Sequence, residues 1–190
     1  MTIQKTSLFL LSLLIFSACQ QEKVLINKAS DHFFDLPAYF QTEAERLSKI
    51  EGLTVQKTVL LDGRSESKEL QIEDWNKELA LFAKIQIHSP TQREKYRVDS
   101  SFMDNEDLKI VHYQSEDKKA SAKSVQLFYK NNKLKKIEIV THSENEVYTA
   151  EQQLVYEADK GFSIEKNQKV TLLQQHKYAI SLEYLVPTNN

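Results

Sequence analysis

The chain has 190 residues with 25 Lys and Arg against 27 Asp and Glu, a length that fits one ordinary domain or two very small ones. Hydrophobic residues make up 41% and charged residues 27%, so the composition is not that of a disordered chain and a core can be buried. Three glycines (Gly52, Gly63, Gly161) and three prolines (Pro37, Pro90, Pro187) exclude collagen, flexible linkers and glycine-rich phosphate loops, and a net charge of -2 argues against a nucleic-acid partner.

Residues 1–18 read as a signal peptide. The amino terminus and Lys5 supply positive charge, and Leu8 to Phe16 is an apolar run broken only by Ser12, far short of the about 20 residues a membrane-spanning helix needs. The segment ends in Phe16-Ser17-Ala18-Cys19. Cleavage as an ordinary secretory signal, with an incidental thiol behind it, is one reading, but that enzyme wants a small residue where Phe16 stands. The four residues resemble the lipobox of bacterial lipoproteins, with Phe16 where Leu is usual. Cys19 is the one cysteine, so it has no intramolecular disulfide partner, and a free thiol in an exported chain is a reactive liability.

The resemblance implies a diacylglycerol on the Cys19 sulfur and an acyl chain on its new amino terminus, each buried methylene contributing about 0.8 kcal/mol to anchoring. Gln20 follows where inner-membrane retention uses Asp, and the composition is similar to that of small envelope lipoproteins of Bacteroidota. These features imply the outer membrane. Gln20-Gln21-Glu22-Lys23 holds a single acid, so the periplasmic face is favoured over the cell surface.

Residues 19–31 form the lipidated cysteine and tether, with Val24-Leu25-Ile26 a possible strand, and residues 32–190 form a single α+β domain. From Asp35 to Glu51, Leu36, Tyr39, Phe40, Leu47 and Ile50 share one helical face, with Asp35 as cap and Gly52 at the stop. Leu53 to Leu61 and Glu66 to Ile72 flank an Asp62-Gly63-Arg64 turn as a hairpin. A second helix is predicted from Asp74 to about Ile87, placing Trp75, Leu79, Phe82 and Ala83 on one stripe and stopping at Ser89-Pro90.

Beyond Pro90 the period changes to two. Leu108 to Tyr113, Ser124 to Tyr129, Leu134 to Thr141, Val147 to Tyr156, Lys169 to Leu173 and Tyr178 to Val186 are β-rich, and the short links at Asn131-Asn132, Ser143-Glu144-Asn145 and Asp159-Lys160-Gly161 demand antiparallel neighbours. The expectation is a curved antiparallel sheet of about seven or eight strands with two helices packed on one face.

Catalytic and metal-binding patterns are sparse. His32, His88, His112, His142 and His176 make no i,i+4 pair, a single Cys excludes thiolate zinc sites, and Asp104-Asn105-Glu106-Asp107 lacks the glycine of a calcium loop. No metal, cofactor or catalytic residue is expected; Ser, His and Asp are present, but their spacing establishes no triad. Seven lysines (118, 119, 123, 130, 133, 135 and 136) lie in a stretch without an acid. They either guard a strand edge or, at Lys130, Lys133, Lys135 and Lys136, touch anionic headgroups or an acidic protein. Six of eight tyrosines (Tyr113, Tyr129, Tyr148, Tyr156, Tyr178, Tyr184) fall in predicted strands, either as sheet core or as a lined binding surface. The function expected is a non-enzymatic, membrane-anchored binding or accessory protein. The alternatives are a periplasmic carrier of lipid or another apolar ligand on a half-barrel-like sheet, and a hydrolase of envelope glycans or lipids.

Overall fold

The computed structural model describes residues 27–28, 33–103, 107–170 and 175–185. Cys19, the tether before Asn27, His32, residues 104–106 of the acidic loop, and the expected strand residues 171–173 and 186 lie outside them. Helix α1 (Leu36–Ser48) begins where Asp35 Oδ1 accepts the Ala38 amide at 3.0 Å, and Pro37 occupies its first turn. It buries Leu36, Phe40, Glu43, Ala44 and Leu47 along one stripe, while Ile50 lies past its end, partly in solvent.

The second predicted helix is broken. Asp74 caps α2 (Trp75–Glu78) through the amides of Asn76 and Lys77, the chain leaves helical geometry at Leu79, and α3 (Ala80–Ala83) follows. Trp75, Leu79 and Phe82 are nonetheless all buried, as the stripe predicts, and Ser89-Pro90 begins one more turn, α4 (Pro90–Arg93).

The strands are β1 (Asn27–Lys28), β2 (Thr54–Leu61), β3 (Arg64–Gln71), β4 (Arg97–Met103), β5 (Leu108–Gln114), β6 (Ser124–Lys130), β7 (Lys133–Glu144), β8 (Tyr148–Glu157), β9 (Gly161–Val170) and β10 (Gln175–Leu185). They form one open, curved antiparallel sheet in the order β1-β4-β5-β6-β7-β8-β9-β10-β2-β3. The α+β architecture agrees with the sequence expectation, with ten strands in place of seven or eight. The additions are the two-residue β1 and β4, and β9 starts eight residues before Lys169.

The turn chemistry follows the residues. Asp62 and Gly63 (φ 47° and 87°) close β2–β3, and Asn131 and Asn132 (φ 51° and 59°) close β6–β7. Hairpins alternate between two ends of the sheet. One, the near end, carries the turns after β4, β6 and β8; the other, the far end, carries those after β2, β5, β7 and β9.

One face of the sheet holds the core. Val55, Val111, Tyr113, Val125, Leu127, Ile137, Ile139, Leu154, Tyr156, Phe162, Ile164 and Leu182 form one buried cluster with Leu36, Phe40, Leu47, Trp75, Leu79 and Phe82 from the helical side. Tyr156 is the hub: Phe40, Tyr39 and Phe82 meet its ring edge-on, with centroids 5.2, 6.3 and 6.1 Å away. We call this the inner face.

Candidate functional site: the inner face and the near-end turns

All six strand tyrosines occupy the inner face, because each lies an even number of residues from a core position of its own strand, or opposite one across the ladder. The face is not uniformly covered. Along β10, Leu182 is fully buried, Ile180 and Tyr178 are partly buried and His176 is exposed; along β2, Val55 is buried, Lys57 and Val59 are intermediate and Leu61 is 53% exposed. Along β9, Phe162 and Ile164 are buried, and the inward positions then turn to Lys166 and Gln168. On β9, β10 and β2 burial holds over the near part and gives way to polar or open positions towards the far end, whereas on β5 and β6 the far-end residues Tyr113 and Val125 are buried and the exposed inward residue, Lys109, lies at the near end.

Beyond the helices, Tyr178 pairs across the ladder with Leu61 on one side and Lys166 on the other, and Ile180 sits opposite Val59. A groove of about 490 Å³ crosses β2 and β3 here, with Val59 and Leu70 as its apolar lining and Lys57, Lys68 and Glu66 as its charged lining. Lys57 is held at 2.8 Å by both carboxylate oxygens of Glu78 on α2, which ties the helical layer to this edge. The tyrosines differ in burial: Tyr113 and Tyr156 are core, whereas Tyr148 and Tyr178 are only partly buried at the far end.

Among the described residues the core holds one buried carboxyl side chain, on its helical side, which composition and spacing had not singled out. Glu43 on α1 accepts from Arg46 Nε at 3.0 and 3.1 Å and from the Tyr156 hydroxyl, while an Arg46 terminal nitrogen donates to the Ala158 carbonyl at 3.3 Å. Burial pushes the Tyr156 hydroxyl far above the ordinary tyrosine range and raises Tyr39 likewise, and Tyr184, buried beside them, rises to about 12. The cluster is closed to solvent on the Glu43 side, so its role is to pin α1 to β8. Truncating Glu43 to Ala strands the Tyr156 hydroxyl and frees Arg46; the expected loss is about 3 kcal/mol in a urea-unfolding midpoint with unchanged slope. Tyr156→Phe should lose about 1 kcal/mol.

The seven lysines do not form one patch. Lys118, Lys119 and Lys123 sit at or beside the far-end loop before β6, and Lys130 and Lys133 flank the near-end turn, so the seven residues of β6 separate the two groups by roughly 20 Å. Lys118 lies 3.5 Å from Glu144. Of the four singled out, Lys135 pairs with Asp159 at 2.6 Å and holds that carboxyl below its ordinary range. Lys136 pairs with Glu138 at 2.7 Å and lies 4.3 Å above the Phe128 ring on the outer face. Lys130 and Lys133 are exposed, stand directly opposite each other across the turn, and make no ion pair among the described residues.

Two of the residue types needed for hydrolysis meet elsewhere. His112 Nε2 and Ser124 Oγ are 3.0 Å apart on the outer face, and Asp99 is the β4 partner of His112. The Asp99 carboxylate faces Arg97 Nε at 3.4 Å, and burial lowers the His112 pKa. A triad needs its carboxylate on the other imidazole nitrogen and free amides for an oxyanion, whereas Ser124 lies in a strand paired on both sides. Among the described residues no three His, Cys, Asp or Glu converge as metal ligands, and no helix is long and apolar enough to cross a membrane. No family model, no curated protein and no solved structure matches the chain.

Proposed function

We propose that this chain is a non-enzymatic envelope lipoprotein, anchored through lipidated Cys19 on the periplasmic face of the outer membrane, that binds a partner through the far end of its inner face. The observation that carries the binding reading is the strip left open by the helices. There Tyr178, Leu61 and Val59 keep apolar area in contact with water beside a groove of about 490 Å³, and Lys166 and Gln168 rim it. Apolar centres with polar rims are the pattern of interaction surfaces. The lipobox-like Phe16-Ser17-Ala18-Cys19 supports the anchor.

A carrier of lipid or another apolar ligand is the second reading, favoured by the apolar lining of the same groove. Helical side chains fill the middle of the inner face, so a carried ligand would sit in that groove and not beneath the helices.

The test is extraction of the native protein from membranes in mild detergent, with identification of the proteins and lipids that stay with it. Cys19→Ala should abolish the acyl mass on the amino terminus and the outer-membrane recovery. Leu61→Glu, at an exposed position, should keep the fold and lower recovery of the co-extracted species roughly tenfold, a loss of about 1.4 kcal/mol. Recovery unchanged in Leu61→Glu removes the far end as the binding surface, and a lipid as the retained species selects the carrier.

A further inference from the structure

Strand β3 closes the sheet at one edge, pairs only with β2 among the described strands, and is exposed at every position but Leu70. The Asp62 amide donates to the Lys177 carbonyl of β10 at 3.0 Å, so even-numbered residues of β2 bond towards β10 and odd-numbered ones towards β3. Leu61 stands opposite Arg64, and Arg64, Glu66, Lys68 and Leu70 therefore bond to β2. The amides and carbonyls of Ser65, Ser67, Glu69 and Gln71 point out of the edge, a row of backbone groups that a further strand can take up. The side chains carry a second mismatch. Lys57 and Lys68 stand directly opposite each other on the inner face, and Glu78 neutralises Lys57 alone, at 2.8 Å. Arg64, Glu66, Lys68 and Glu69 make no ion pair among the described residues.

From these two observations we propose that β3 pairs with the β3 of a second copy of this chain, antiparallel about a twofold axis through Ser67, which joins the two sheets edge to edge. The pairing needs neither the anchor nor the far-end binding surface. Ser67 of one copy then faces Ser67 of the other, Ser65 faces Glu69, Glu66 faces Lys68 and Arg64 faces Leu70, and the outward groups of Ser65, Ser67 and Glu69 exchange about six hydrogen bonds. Around the axis, Glu66 and Lys68 of the two copies form a square in which every neighbour has the opposite sign, roughly 7 Å along each strand and 5 Å across. Lys68 thereby gains the carboxylate that Glu78 does not supply. Sliding the register by one pair removes this: one way sets Glu66 against Glu66 and Arg64 against Lys68, and the other sets Lys68 against Lys68. Charges that keep foreign strands off an edge thus select one register of the strand's own copy. Two cations and two anions leave β3 neutral, and Asp62, next beyond the paired residues, is already engaged by His176 at 2.8 Å. The groove on β2 and β3, with Leu70 in its lining, gains Arg64 of the second copy.

The test is disulfide trapping of the full chain in whole cells. Ser67→Cys places one sulfur of each copy beside the axis, on facing Cα atoms about 5.5 Å apart, within the reach of a disulfide. Mild oxidation should convert about half or more of this variant to a dimer that reductant returns to monomer. Cys19 is common to every variant, so any dimer formed through it also appears in the wild-type chain and is subtracted. Ser65→Cys and Glu69→Cys are equally exposed, but each lies about 13 Å along the strand from its counterpart and should not trap. In the Ser67→Cys background, Glu66→Lys or Lys68→Glu sets like charges face to face and should lower the dimer about fivefold or more, whereas the two together restore it. All these positions are exposed, so the β-sheet circular dichroism signal should stay unchanged. Absence of trapping at 67, equal trapping at 65, 67 and 69, or a charge-swapped double variant no better than the single ones overturns the pairing. Such a result leaves the far-end reading standing, because that reading is decided by Leu61→Glu.

Discussion

Between pH 10 and about 12 the protein should unfold in one cooperative step, with tyrosinate absorbance appearing together with loss of the β-sheet circular dichroism signal. Tyr156 and Tyr39 are held well above the ordinary tyrosine range, and Tyr184 and Tyr129 rise to about 12, in each case first because burial penalises the charged phenolate. An unfolded tyrosine ionises near 10. Above that pH the unfolded chain binds fewer protons than the folded one, so stability falls as pH rises; the contribution is complete below pH 10 and is lost towards the folded-state values. Each such tyrosine withdraws up to about 1.4 kcal/mol per pH unit.

Taking Tyr156 and Tyr184 alone, the fall from pH 10 to 12 is about 5 kcal/mol, comparable to the whole stability of an ordinary domain. Tyr156→Phe should remove the share of Tyr156, about a quarter of the slope from the four tyrosines. Tyrosinate that develops gradually from pH 10 with the sheet intact would show that these hydroxyls are open to water, and would sink the account of the Glu43 cluster as a closed network.

Replacing Gly161 by Ala should lower stability by about 4 kcal/mol and the melting temperature by roughly 10 °C. Gly161 opens β9 directly after the Asp159-Lys160 turn at φ +132°, a conformation that side chains rarely adopt, and an added Cβ would stand 1.9 Å from the Leu182 carbonyl oxygen of β10. That carbonyl belongs to backbone, so the clash is relieved only by moving a strand. On the other side, β8 pairs with Gly161 through Glu157, and the Tyr184 amide donates to the Lys160 carbonyl at 2.8 Å, so the strands on either side are bound at this point. Gly63→Ala is the control: its φ of +87° is strained, but nothing lies within 4 Å of the added carbon. Its loss should be no more than about 1–2 kcal/mol. Equal thermal shifts for the two variants would refute the steric argument and leave backbone conformation as the sole effect.

Local chemistry in the sequence was enough for α1, for the hairpin turns and for the alternation of β5 to β8 and β10. A cap at Asp35, a stop before Gly52 and paired turn residues at Asp62-Gly63 and Asn131-Asn132 act over a few residues, and their signals sit in adjacent letters. β4 and most of β9 were illegible for the opposite reason. The inward positions of β4 are Val98, Ser100 and Phe102, and those of β9 pass from Phe162 and Ile164 to Lys166 and Gln168, because the helical layer that would demand apolar residues ends partway along the sheet.

Where that layer ends is a property of the packed molecule. It follows from how α1 and the broken α2–α3 pair seat on Tyr156, and it decides which tyrosines are core and which remain open. Charge behaves the same way. Seven lysines close together in sequence were dispersed by a single strand, and a Glu, an Arg and a Tyr up to 113 positions apart were gathered into one cluster. Patterning can be read where an interaction is local, and antiparallel strands about 4.8 Å apart bring together what the chain keeps distant. The resemblance of Phe16-Ser17-Ala18-Cys19 to a lipobox is legible in adjacent letters, whereas the place of Asn27 and Lys28 at the sheet edge, opposite Ser100 and Asp99, came only from their pairing with β4.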